Sequence, residues 1–206
     1  MIPTLTKEDN QVLEQVFEHF RQYGVKSVSM DDIASQFGMS KKTLYQQFEN
    51  KKDLIFKSIA RHALLEQELI NDISDKATDA VDEMVRSAEH MVLHFRQIKP
   101  ILIHDLQKYY RDIWNFVMTN QNEFFTEQIR ENLKRGIKEG YYRQNIDSDI
   151  IAKLYVSKTL SLVNEELFSL VEYEREHLLQ QHLMYHIYGI LSTTGRDHFE
   201  QFNLFN

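Results

Sequence analysis

Between residues 12 and 20 the apolar positions Val12, Leu13, Val16, Phe17 and Phe20 recur three and four apart, the period that lays one stripe along an α-helix. Thr6 can cap this helix, with Asp9 three residues on, and Gly24 ends it. A second helix is predicted to start at Ser29. Asp31 and Asp32 favour its positive end, Ile33, Ala34 and Phe37 face inward, and Gly38 stops it. Ser40 caps a third helix that ends near Phe48, and Asn50 with Asp53 opens a much longer fourth. Beyond about residue 72 the helices lengthen. One runs from about Thr78 to Gln97 with Met84, Ala88, Met91, Val92 and Phe95 on one face. Pro100 disfavours helix at Lys99 and suits the first turn of the next helix. An aromatic-rich segment follows through Phe125, then a helix ending at Gly140, then a helical hairpin of Ile150 to Val171 and Glu174 to Leu191.

Composition strengthens the all-α expectation. Six Gly and two Pro in 206 residues leave few breakers, and helix formers dominate the rest. With 42% hydrophobic residues the chain can bury a core. The absence of cysteine removes disulfides, thiol nucleophiles and thiolate metal sites. No apolar run reaches the roughly 18 to 20 residues that cross a bilayer, and "MIPTLTKEDN" lacks the basic and apolar regions of a signal peptide. The expected location is cytoplasmic, with no membrane partner.

Charge is unevenly placed. The net charge is -7, yet residues 1 to 60 carry eight Lys/Arg and eight Asp/Glu, so the remainder holds the whole excess. Within "FGMSKKTLYQQFENKKDL", Lys41, Lys42, Lys51 and Lys52 outnumber Glu49 and Asp53. Local charge decides phosphate contact more than the total does.

Helices two and three are separated by "FGMS", the short glycine-containing turn of a helix-turn-helix. At about 100° per residue, Leu44 and Phe48 point nearly the same way, with Lys42, Thr43 and Gln46 spread over the other side. Lysine can donate to guanine or phosphate, glutamine can pair bidentately with adenine, and threonine can bond phosphate or touch a thymine methyl. Tyr45, at the border of the buried face, can pack its ring and send its hydroxyl to a phosphate. Lys51 opens the fourth helix, where its charge opposes the helix dipole unless an anion sits there. A solvated charged turn is the plainer reading of the same residues.

"SVSMDDIASQFGMSKKTLYQQFENKKDL" resembles the DNA-binding domain of the TetR family of transcriptional regulators, in the pattern I-A-x-x-x-G-x-S-x-x-T-L-Y-x-x-F-x-x-K-x-x-L over about residues 8 to 55. The resemblance implies an N-terminal three-helix helix-turn-helix domain, residues 1–55, joined by a long helix to a C-terminal helical effector-binding and dimerisation domain, residues 56–206. It implies a homodimeric repressor on a palindromic double-stranded DNA operator, released by a small-molecule effector. Carried over by position, Lys41, Lys42 and Thr43 contact the groove and Tyr45 and Lys51 contact phosphate. Ser29 and Ser40 either contact phosphate or only cap. Gln46 and Gln47 stand where many members carry aromatic residues or His, and adenine preference is the expectation there.

The same resemblance assigns dimer contacts to the last two long helices: Ile150, Ile151, Leu154, Leu162 and Val163 with small Ser157 and Ser161 on one, Leu179, Leu183, Ile187 and Ile190 on the other. The alternative is that these stripes pack inside the subunit. For an apolar or aromatic effector, Met84, Met91, His94, His104, Tyr109, Tyr110 and Trp114 are the candidates, set against an ordinary core role. His90 with His94, and His182 with His186, have the i, i+4 spacing of paired metal ligands but no third ligand nearby, so neither metal nor cofactor is expected. No glycine-rich phosphate loop, G-x-S-x-G elbow or H-E-x-x-H motif occurs, so an enzyme is not expected. The competing non-enzymatic reading is a helical protein-interaction or small-molecule-binding module that no longer reads DNA.

Overall fold

In the computed structural model, residues 7–162, 167–169 and 171–205 are described, with side chains from residue 10 onward. Thr6, Val163 and the side chain of Asp9 lie outside them. Among the described residues there is no strand, and the chain forms ten α-helices: α1 Lys7–Tyr23, α2 Met30–Gln36, α3 Lys41–Gln47, α4 Lys51–Lys76, α5 Ala80–Gln97, α6 Pro100–Tyr109, α7 Arg111–Glu139, α8 Ser148–Ser161, α9 Arg175–Ile190 and α10 Thr193–Phe199. The all-α expectation is met. No helix among the described residues is long and apolar enough to cross a membrane.

The helices form two compact units. The first comprises residues 1–68 and 97–121, and so adds α6 and the start of α7 to the N-terminal helices. Its core joins Leu13, Val16, Phe17 and Phe20 of α1 to Ile33, Leu44, Phe48, Leu54 and Ile55, and to Leu102 and Leu106 of α6. The α1–α2 turn is shaped by Gly24, whose φ of +78° L side chains rarely adopt. A Cβ there would stand 2.6 Å from the Asp105 carboxylate and 2.9 Å from the Ile101 side chain of α6.

The second unit holds residues 69–96 and 122–206. Met84, Ala88 and Val92 of α5 pack with Leu133, Tyr155, Leu179, Leu183 and Ile187. Buried Tyr142 satisfies its hydroxyl by donating to the Ala80 carbonyl at 2.8 Å. The helix expected from Ile150 to Val171 spans only Ser148–Ser161. Its end tightens: the Leu162 N–H bonds three residues back to the Thr159 carbonyl at 3.2 Å, and the Ser161 hydroxyl donates to the Lys158 carbonyl at 2.7 Å. Helix α10 was not foreseen; at seven residues it carries too short a pattern to read, and the Ser192 hydroxyl caps it by accepting the Gly195 N–H at 3.0 Å.

Candidate nucleic-acid interface

Helix α3 is set by its cap and its two anchors. Ser40 Oγ accepts the Thr43 N–H at 3.0 Å, while Leu44 and Phe48 are fully buried. Helix α2 enters through a reciprocal capping box. Ser29 Oγ accepts the Asp32 N–H at 3.1 Å, and Asp32 Oδ2 accepts the Ser29 N–H at 2.8 Å. Gly38, at φ +63°, closes α2 and lets the Met39 N–H reach the Ala34 carbonyl at 2.9 Å. The turn therefore presents α3 as a short helix held from one side only.

Its other side is solvent. Lys41, Lys42, Thr43, Tyr45, Gln46 and Gln47 are all exposed, Tyr45 by 51%. Lys42 makes no ion pair among the described residues, whereas Lys41 Nζ lies 2.6 Å from Asp31 Oδ2. The hydrogen bond and charge of Asp31 raise the Lys41 pKa above the usual lysine value. The Thr43 hydroxyl is 2.8 Å from Ser40 Oγ. Ser29 and Ser40 are thus engaged as caps, with their residues still exposed.

Lys51 behaves differently from the α3 lysines. Asn50 Oδ1 accepts the Asp53 N–H at 3.0 Å and caps α4. Lys51, the first residue of that helix, is half-buried and donates from Nζ to the Lys26 carbonyl at 3.1 Å. Burial lowers its pKa, and the charges of Asp105 and Asp32 oppose that shift. The sequence points to Lys51 as a charge at a helix start, but its partner lies 25 residues back and cannot be read from spacing. Asp31, Lys26 and Asp105 carry no motif of their own and were missed for the same reason.

The other candidate residues are distributed as follows. Met84 is buried in the second unit, where Met91 and His94 are half-buried on the same helix. His104, Tyr109, Tyr110 and Trp114 belong to the first unit. There, Tyr109 accepts from Lys26 Nζ at 3.0 Å, and Tyr110 and Trp114 pack on the core. A cavity of about 390 Å³ in the first unit is lined by Asn50, Lys52, Asp53, Phe56, Asp112, Ile113 and Phe116, none of them among these seven. In the second unit Leu179, Leu183, Ile187 and Ile190 are buried inside the subunit. That α9 stripe is filled by the unit's own core and is not open to a partner. Ile150, Leu154 and Ser157 are exposed, and Ile151, Ser161 and Leu162 are half-buried. The His90 and His94 rings are 6.0 Å apart, and His182 Nε2 is 2.9 Å from Thr159 Oγ1.

Residues 12–57 match the sequence model of the family described as "Bacterial regulatory proteins, tetR family". An uncharacterized HTH-type transcriptional regulator of Bacillus subtilis (strain 168), YvaF, is 24% identical over 164 residues, 77% of this chain and 82% of that protein. In fold the chain is similar to a transcriptional regulator from Cytophaga hutchinsonii ATCC 33406, with a TM-score of 0.74 at 18% identity over 91% of this chain and 100% of the other. It is also similar to SmeT, the repressor of the Stenotrophomonas maltophilia multidrug efflux pump SmeDEF, with a TM-score of 0.69 at 14% identity over 91% of this chain and 92% of that one. The matched segment ends inside α4, just past the helix-turn-helix built by α2 and α3, so the N-terminal part of the chain carries the helix-turn-helix of the TetR family of transcriptional regulators, and the chain as a whole is similar in fold to such regulators.

Proposed function

We propose that this protein is a homodimeric repressor that binds a palindromic DNA operator through α3 and is released by a small-molecule effector. The observation that carries the DNA-binding part is the division of α3. Leu44 and Phe48 are sunk in the core while Lys42, Gln46, Gln47 and Tyr45 stand free on the opposite side. A helix of this kind fits a major groove about 12 Å wide, with lysine and glutamine reaching base edges and tyrosine reaching the backbone. Lys41 must leave Asp31 to touch DNA. Both partners are more than half exposed, so that exchange costs little.

Dimerisation is assigned to the outer face of α8 and α9. Ile150 and Leu154 are 55% and 49% exposed and lie one turn apart on α8, and Tyr185 and Tyr188 are exposed on α9. Four large apolar or aromatic side chains facing water on adjacent elements favour a self-complementary partner. Two copies would offer their α3 helices to half-sites about 34 Å apart, one turn of DNA. An apolar or aromatic effector in the second unit suits a core rich in Met and aromatic residues. The effector acts only through different affinities for the free and DNA-bound dimer.

Binding of fluorescent duplex from the region upstream of the protein's own gene tests the proposal. Tight, salt-sensitive binding that prefers one palindrome over scrambled sequence is expected, and equal affinity for both would remove it.

A further inference from the structure

A polar construction outside α3 lies on the turn between α1 and α2. Asp105 on α6 is only 3% exposed, and its Oδ2 accepts the Lys26 N–H at 2.8 Å. A buried carboxylate needs such donors, because desolvating it unpaired is costly. Gly24 leaves the space it occupies, since any Cβ would meet Oδ2 at 2.6 Å. The rest of Lys26 is engaged as well. Nζ donates to the Tyr109 hydroxyl at 3.0 Å and lies 4.6 Å from the centre of that ring. The Lys26 carbonyl accepts from Lys51 Nζ at 3.1 Å. One residue of the turn therefore receives α6 on its N–H and α4 on its C=O.

We propose that Asp105 is a positioning residue for DNA binding, which fixes the Lys26 main chain so that the Lys51 ammonium is held in place for a phosphate. An ammonium has three donors, and the Lys26 carbonyl takes one. Lys51 is only half-buried, so the others remain open to an anion. Holding a long side chain before the ligand arrives removes part of the ordering cost of the contact. The negative charge of Asp105 also favours the charged form of Lys51, which burial opposes. Asp105 lies 48 residues beyond the segment that matches the family model, so nothing in the helix-turn-helix sequence announces it. This inference rests on the DNA-binding reading given above.

A double-mutant cycle separates positioning from simple support of the fold. Asp105→Asn keeps an oxygen acceptor and removes the charge. Its affinity for the preferred duplex should fall about fivefold, the size expected when a charge-assisted hydrogen bond becomes an ordinary one. In a Lys51→Ala background the same change should have no further effect. Losses that multiply across the two variants, or no loss for Asp105→Asn alone, would overturn the proposal. NMR of the Lys51 ammonium in the DNA-free protein provides a readout independent of affinity and of whether Asp105→Asn folds. Slow exchange with water in the wild type supports the clasp; exchange as fast as that of exposed Lys42 refutes it. If the wild type binds no DNA while Lys51 still exchanges slowly, the clasp stands as structure and the DNA-binding reading is what fails.

Discussion

Helix α9 turns His186 into the second unit, where its Nε2 is buried with no hydrogen-bond partner. The Tyr155 ring of α8 is centred 4.2 Å away, and His182 stands one turn earlier on α9. Burial drives the His186 pKa down from 6.5 to about 3, and the like charge of a protonated His182 pushes the same way. Below pH 6.5 the unfolded chain takes up a proton there that the folded chain refuses until about pH 3. The stability this group supports is complete above 6.5 and is lost as the pH falls, at about 1.4 kcal/mol per unit. Between about pH 7.5 and about pH 5 the loss comes to about 2 kcal/mol, and it depends little on how far below 5 the folded pKa lies. His186→Leu removes the titration and leaves the carboxylates of the chain in place. Urea unfolding followed by circular dichroism should show wild type losing about 2 kcal/mol more than His186→Leu over that interval. Trp114, the only tryptophan, belongs to the first unit and monitors that unit by its fluorescence. Equal losses for wild type and variant would show that His186 is protonated in the folded state, contrary to its burial.

Three further outcomes follow from other parts of the molecule. Gly24→Ala should destabilise the first unit by at least about 1 to 3 kcal/mol in urea unfolding followed by Trp114 fluorescence, since φ +78° strains an alanine and its Cβ meets Asp105 and Ile101; an unchanged midpoint would contradict the close approach. Leu154→Glu places a charge on the exposed face of α8. It should shift the protein from dimer to monomer in sedimentation without changing the circular dichroism spectrum, and a dimer of undiminished stability would move the interface elsewhere. Lys51→Ala should lower affinity for all duplexes alike while Gln46→Ala relaxes preference at one position per half-site, and binding to a randomised duplex pool would reveal either residue acting in the other's role.

What could be read from the sequence was what local chemistry decides. Ser29, Ser40 and Asn50 do cap the helices they precede, and Leu44 with Phe48 is buried as its spacing requires. These signals lie within a few residues of their consequences. Spacing could not say which way an apolar stripe faces. Leu179, Leu183, Ile187 and Ile190 have the periodicity of an interface and of a core alike, and they are core. Nor could it reveal that α6 belongs with the N-terminal helices, because that depends on Asp105 meeting a main-chain N–H 79 residues away. The end of α8 was misplaced because no glycine or proline stands between Ser161 and Glu174 to mark a stop.

Whether the exposed side of α3 reads DNA is decided by fluorescence anisotropy on matched and scrambled duplexes for wild type and for a Lys42→Ala/Gln46→Ala double variant. Wild type should prefer the matched duplex by about a thousandfold or more, with affinity falling as salt rises, and the double variant should lose most of that preference while keeping its helical circular dichroism. Undiminished preference in the variant, or none in the wild type, would show that α3 does not read the operator.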